Sequence, residues 1–179
     1  MILSKDTLLE LNKNNELIEG AEPDQFQMAT VDLRLGNEFL IMDENYTEII
    51  DFDSKPNYKK IVADSIIIPP KSFVLGVTME YIKVPLDCGV IIEGRSSIGR
   101  MGLFIQNAGW INPGHQLKIT LELFNASNVP IRVSAGRRIC QIMFVKLDKP
   151  VKEGYSGKYV NQKEVSGTKI NEDNECNKK

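Results

Sequence analysis

The sequence predicts a mainly β fold, a sandwich, jelly roll or barrel, with a short helix at its N-terminus. From Thr30 onward the apolar residues fall in short alternating or continuous runs, turn residues separate those runs, and no long stretch of helical period lies between them. The helix comes first. Ser4 is placed to cap it ahead of Leu8, Leu9 and Leu11, and Asp6 sits in the first turn, where a carboxylate suits the helix dipole. Strands are then expected over 31–35, 66–68, 73–77, 90–92, 119–124, 131–133 and 139–144. Pro69-Pro70, Pro113-Gly114 and Ala135-Gly136 supply breaks, because proline fixes φ and withholds a donor while glycine tolerates the positive φ of tight turns.

At 179 residues, with 42% hydrophobic and 26% charged residues, the chain is long enough for one buried core and too short for two ordinary domains. A single domain over 1–170 is expected. A formal net charge of -2 gives no general basic footprint, so nucleic acid is not expected as a partner. No apolar run approaches the roughly 20 residues of a membrane-spanning helix. Polar Ser4-Lys5-Asp6 follows Met1 to Leu3 at once and leaves no signal-peptide core, so a cytoplasmic protein is expected. Cys88, Cys140 and Cys176 are far apart and lack C-x-x-C spacing, which reads as free thiols rather than disulfides or zinc ligands. From Lys152 the composition turns polar and glycine-containing, yet it includes Tyr155, Lys158, Tyr159 and Gln162. The stretch 152–170 fits either a surface loop or a flap that closes over a ligand, and 171–179 is expected to be disordered.

The chemically dense region is Glu93 to Gly102, where Arg95, Ser96, Ser97 and Arg100 lie among glycines. Guanidinium groups, hydroxyls and bare backbone together suit a phosphate chain, although an R-S-S turn also occurs as a plain solvated loop. It is not a Walker loop, since G-x-x-x-x-G-K-[ST] is absent. In the strand that follows, Ile119, Leu121 and Leu123 share one face and Lys118, Thr120 and Glu122 the other. By pattern alone Glu122 fits a solvated carboxylate or an acid/base group facing a pocket.

The run E-G-R-S-S-I-G-R-M-G-L-F-I-Q-N-A-G-W-I-N-P-G from Glu93 is followed by I-T-L-E-L-F-N from Ile119, G-R-R-I-C-Q-I-M-F from Gly136 and G-K-Y-x-x-Q-K from Gly157. With M-I-L-S at the start and V-D-L-R-L-G from Val31, these motifs resemble the dCTP deaminases of the dUTPase-like superfamily, closest to the bacterial bifunctional type that also removes diphosphate. The resemblance spans the chain to about Ile170 and implies a distorted β-barrel or jelly roll of the dUTPase-like type.

It implies that Glu122 is the general acid/base of a metal-independent deamination at C4 of cytosine, with Ser96 and Arg100 as catalytic partners and Arg95 and Ser97 beside them on the phosphates. It implies that Asn107, Ala108 and Gly109 read the pyrimidine edge through backbone groups and that Ile111 and Asn112 lie along the sugar. Tyr155, Lys158 and Gln162 would close over the triphosphate, which favours the flap. Magnesium would arrive on the substrate phosphates, with no metal held by protein side chains. The H-x-E and P-C-x-x-C signature of zinc deaminases is absent, so no zinc is expected. The family further implies a homotrimer with active sites between subunits, dCTP as substrate with dUTP as a second, and dTTP as an inhibitor acting through Gln106 to Gly109.

Two positions depart from the family pattern. Asn112 stands where an aspartate is usual, and His115-Gln116-Leu117 replaces an aromatic-x-Gly. An amide has no basic carboxylate. The expectation is therefore deamination of dCTP to dUTP plus ammonia, with diphosphatase activity weak. The alternatives are a bifunctional enzyme forming dUMP and, from another class, a nucleotide-binding regulatory module of little activity.

Overall fold

Ser4 has extended backbone (φ -79°, ψ 165°) and ends the N-terminal strand-like entry, so that helix α1 (Lys5–Leu11) begins after it and buries Leu8 completely. The Ser4 hydroxyl meets Thr7 Oγ1 at 3.3 Å rather than a backbone N–H. The computed structural model describes residues 1–47, 49–106 and 109–173, and nearly everything beyond α1 is strand and turn.

Among the described residues the strands are β1 (Ile18–Glu19), β2 (Val31–Arg34), β3 (Glu38–Met42), β4 (Tyr58–Val62), β5 (Ser65–Ile68), β6 (Phe73–Val77) and β7 (Tyr81–Lys83). Then come β8 (Cys88–Gly94), the short helix α2 (Ser96–Gly99), β9 (Leu103–Gln106), β10 (Trp110–Ile111), β11 (Gln116–Leu117), β12 (Thr120–Asn125), β13 (Ile131–Ser134) and β14 (Arg138–Lys146). They form sheets in the orders β4-β3-β6-β12-β9, β10-β8-β14-β2, β1-β7-β11 and β13-β5. The pairings in which registers are resolved are antiparallel, so each strand can bury one face and leave the other to solvent or a ligand. The expected mainly β, jelly-roll-like fold with its short leading helix is what forms.

Strand β12 shows how the sequence sets this up. Leu121 and Leu123 are fully buried, while Thr120, Glu122 and Phe124 occupy the opposite, half-open face. Strand β14 departs from simple alternation, because the register shifts between Arg138 and Cys140 and both Ile139 and Cys140 turn inward. The core joins Leu8, Phe26, Leu33, Phe39, Leu121, Leu123, Ile142 and Phe144, all nearly sealed from solvent. Gly76 on β6 makes this packing possible: a Cβ there would lie 3.0 Å from Leu35 Cδ1 and 3.3 Å from Leu123 Cδ1.

Polar groups inside the core are paired. Glu80 is 0% exposed. Its carboxylate takes Arg34 Nε at 2.7 Å, Arg34 N at 2.8 Å and Gln25 Nε2 at 2.9 Å, which satisfies a charge that burial would otherwise penalise heavily. Asp32, also buried, lies 3.4 Å from Arg95 Nε and 3.6 Å from Arg138 Nη1. No helix among the described residues is long and apolar enough to cross a membrane.

The segment after β14 folds back over the five-stranded sheet. Val165 is buried with Leu40, Leu75, Val77 and Tyr58, and Lys60 pairs with Glu164 at 2.7 Å. Ile170–Glu172 form a short 3-10 turn, and 174–179 lie outside the described residues.

Candidate active site

Where the C-terminal segment crosses the sheet it encloses a cavity of about 470 Å³. Glu122, Thr120 and Leu75 form its floor, Gly109 to Asn112 and His115 one wall, and Tyr155, Tyr159 and Gln162 the cover. Apart from Glu122, the side chains lining the cavity are apolar or uncharged.

Glu122 is placed by β12 pairing on both sides, opposite Leu75 of β6 and Gln106 of β9. It is half-buried, and burial pushes its carboxyl above the ordinary glutamate range. Among the described residues no cation comes within ion-pair distance to reverse that. A carboxyl whose pKa is raised by burial and which can still ionise is suited to pass a proton in both directions.

The wall is fixed from behind. Strand β10 pairs with β8, so that Trp110 lies opposite Ile91 and Ile111 opposite Val90. The indole of Trp110 covers Gly89, where a Cβ would come within 2.1 Å of the ring. Gly109 has φ +74° and gives its carbonyl to Ile92 N at 3.1 Å. Trp110 Nε1 donates to Asn112 Oδ1 at 3.1 Å. An indole N–H only donates, so the amide is oriented with its NH2 pointing away from the indole.

The cover is held by Gln162, whose Nε2 donates to Lys118 O at 2.9 Å and to Thr120 Oγ1 at 2.8 Å. Lys118 N returns a bond to Gln162 O at 2.8 Å. His115 stacks on Tyr155 and bonds to Tyr159 O. Its burial lowers the imidazole pKa, a shift only partly offset by that carbonyl.

The structure thus brings Glu122, Gly109, Ile111, Asn112, Tyr155 and Gln162 to one cavity. Arg95 and Ser97 line another, of about 440 Å³, with Arg137 and Arg138. Ser96, Arg100 and Lys158 line neither; Ser96 and Arg100 are exposed, and Lys158 pairs with Asp173 at 2.5 Å. Asn107 and Ala108 lie outside the described residues. Sequence reasoning passed over Thr120, Trp110, Tyr159 and His115 as site residues. Thr120 was legible, because it shares the face of Glu122 two residues away. The bonds of His115 to the tail were not, since they join residues 44 apart.

The fold thus sets one partly desolvated carboxylate in a cavity and an arginine-serine cluster elsewhere on the chain. The dCTP deaminase-like family model matches residues 2–147. The chain belongs to that family. It is 45% identical over 176 residues to a protein of Persephonella marina named "dCTP deaminase, dUMP-forming", covering 95% of this chain and 97% of that one. It is 44% identical over 178 residues to an Aquifex aeolicus protein of the same name, covering 98% of each. Among solved structures, the 2'-deoxycytidine 5'-triphosphate deaminase of Agrobacterium tumefaciens matches with a TM-score of 0.64 at 21% identity, over 80% of this chain and 47% of that one, which supports the fold.

These relatives correct one expectation. The reading that dUTP is the end product, with diphosphatase weak because Asn112 lacks a carboxylate, is overturned by relatives that are named dUMP-forming across nearly their whole length. The physical fault lies in treating a strong base as indispensable. Phosphoryl transfer depends mostly on positioning and electrostatic stabilisation, and an amide orients the attacking water in other phosphoryl-transfer enzymes.

Proposed function

We propose that this enzyme deaminates dCTP and carries the nucleotide on to dUMP, releasing ammonia and diphosphate. The observation that carries the deamination step is Glu122, a single carboxyl raised by burial on the floor of the cavity. Glu122 takes a proton from the water that attacks C4 and delivers it to N3; it then takes the remaining proton of the new C4 hydroxyl and passes it to the amine, so that the C4–N bond breaks, ammonia leaves and the C4 carbonyl forms. The pyrimidine edge is the expected partner of Asn107, Ala108 and Gly109, and the sugar that of Ile111 and Asn112. Asn112, its orientation set by Trp110, orients the second water toward phosphorus rather than deprotonating it.

Arg95, Ser96, Ser97 and Arg100 supply the phosphate contacts. Arg95 and Ser97 line a cavity other than the one that holds Glu122, and Arg100 and Ser96 are exposed, which supports a site completed by the cluster of a neighbouring copy in a homotrimer. Residues 1–170 act as one domain, with 152–170 as the flap through Tyr155, Lys158 and Gln162. Among the described residues no group of three or more His, Cys, Asp or Glu is placed to hold a metal ion. Magnesium would arrive on the phosphate oxygens, where it would neutralise charge on the triphosphate. dTTP is the expected inhibitor, since it offers the same sugar and phosphates without an amine to remove.

Ammonia release from dCTP and magnesium is the direct test. It should be dCTP-dependent and lost when Glu122 is replaced. Nucleotide binding with no ammonia would make the chain a binding module instead.

A further inference from the structure

His115 is the single histidine of the chain and is only 7% exposed. Its ring stacks on Tyr155 with centroids 4.0 Å apart and planes at 29°. Its Nε2 lies 3.0 Å from Tyr159 O, and because a carbonyl only accepts, that nitrogen carries the proton and donates. Around these contacts the two backbones meet. Tyr155 N donates to Pro113 O at 2.9 Å, and a Cβ on Gly114, itself at φ +74°, would lie 2.4 Å from Gly154 Cα. The same turn carries Asn112, whose carbonyl accepts His115 N at 3.2 Å and whose amide is held by Trp110.

We propose that His115 is a positioning residue that latches the 155–159 stretch onto the Asn112 turn and so sets how much of the time the cavity is closed over bound nucleotide. This rests on the reading of the cavity as the dCTP site. A hydrocarbon ring at this position would supply the stack alone. The imidazole adds a hydrogen bond to main chain, which ties the flap down independently of the side chain at position 159. Closing lids of this kind exclude water and hold the substrate for reaction, so a weak latch shows first as weak retention of substrate.

The test compares His115→Ala, His115→Phe and His115→Gln by limited trypsin digestion without nucleotide, by thermal unfolding and by steady-state kinetics with dCTP. His115→Ala should speed cleavage at Lys158 and Lys163 about 10-fold and raise KM by a similar factor, with a smaller change in kcat, since one stacked pair and one hydrogen bond are lost from closure. His115→Phe keeps the buried ring and should restore part of the protection; His115→Gln keeps a donor and should restore another part. Unchanged cleavage and KM in both His115→Ala and His115→Phe would overturn the latch. So would faster cleavage throughout the chain together with a lower unfolding midpoint, which marks a residue that only supports the core. Failure of the wild type to turn over dCTP would sink the functional reading yet leave the digestion comparison intact, so the two failures are distinguishable.

Discussion

Replacing Glu122 with glutamine separates the two reactions and reads the environment of the carboxylate at the same time. Glutamine keeps the shape on β12 between Leu75 and Gln106, so the sheet pairing is unaffected. A positioned acid/base group contributes about 10²- to 10⁴-fold, and one that serves water, N3 and the departing amine in turn belongs at the upper end, so ammonia release should fall about 10⁴-fold. Hydrolysis of supplied dUTP should persist, because Glu122 acts at the base and not at phosphorus. Stability should move the other way. Burial raises the folded pKa of Glu122 above the ordinary glutamate value, so the folded protein disfavours the ionised form. Well below that ordinary value both folded and unfolded chains are protonated and nothing is lost; as pH rises from there through the raised folded pKa, the unfolded chain ionises first and the wild type loses stability that the variant keeps. The melting points should coincide at about pH 4 and separate at neutral pH with the variant higher. Ammonia assay, dUTP hydrolysis and melting over a pH series measure all three. Ammonia release above roughly a tenth of wild type would refute the acid/base role, since removal of a true proton carrier leaves far less.

The raised pKa also places the acid limb of kcat/KM for deamination above the range of an ordinary glutamate, and a limb at or below that range would contradict the desolvated site. Mixing Glu122→Gln with Arg100→Ala subunits after gentle dissociation should regain ammonia release that neither variant shows alone; no recovery would mean that each chain builds its site unaided. Glu80→Ala strands Arg34 against a buried wall and should lower stability by about 3 kcal/mol in urea unfolding, at the low end for a broken buried pair because water still reaches part of Arg34. Burial pushes the Cys88 thiol up to about 11 and Cys140 higher still. In a Cys176→Ser variant neither thiol should react with a disulfide reagent at mildly alkaline pH until denaturant is added, and fast labelling of the native protein would show that these thiols open to solvent.

Much of this architecture is written locally. The alternation of Ile119, Leu121 and Leu123 against Thr120 and Glu122 gives β12 its two faces, and the leucine-bearing turn after Ser4 marks α1, although the Ser4 hydroxyl makes no cap bond there. The shift in β14 is not local, since Ile139 and Cys140 both turn inward only because β2 pairs on either side of a slipped register. Glu80 reads as one more charged residue near a strand end; its burial depends on Arg34 and Gln25, 46 and 55 residues away, arriving at the same point. The tail contacts of His115 and Gln162 are hidden for the same reason. Asn112 shows a different limit. Its side chain was legible, but its consequence was not, because loss of a base predicts loss of phosphoryl transfer only where proton abstraction limits that reaction.

The most direct measurement is a time course of purified protein with dCTP and magnesium, following ammonia, dUTP, dUMP and diphosphate together. Free dUTP should stay low while dUMP and diphosphate rise in step with ammonia. Ammonia matched by an equal amount of stable dUTP would rule out the dUMP-forming reading.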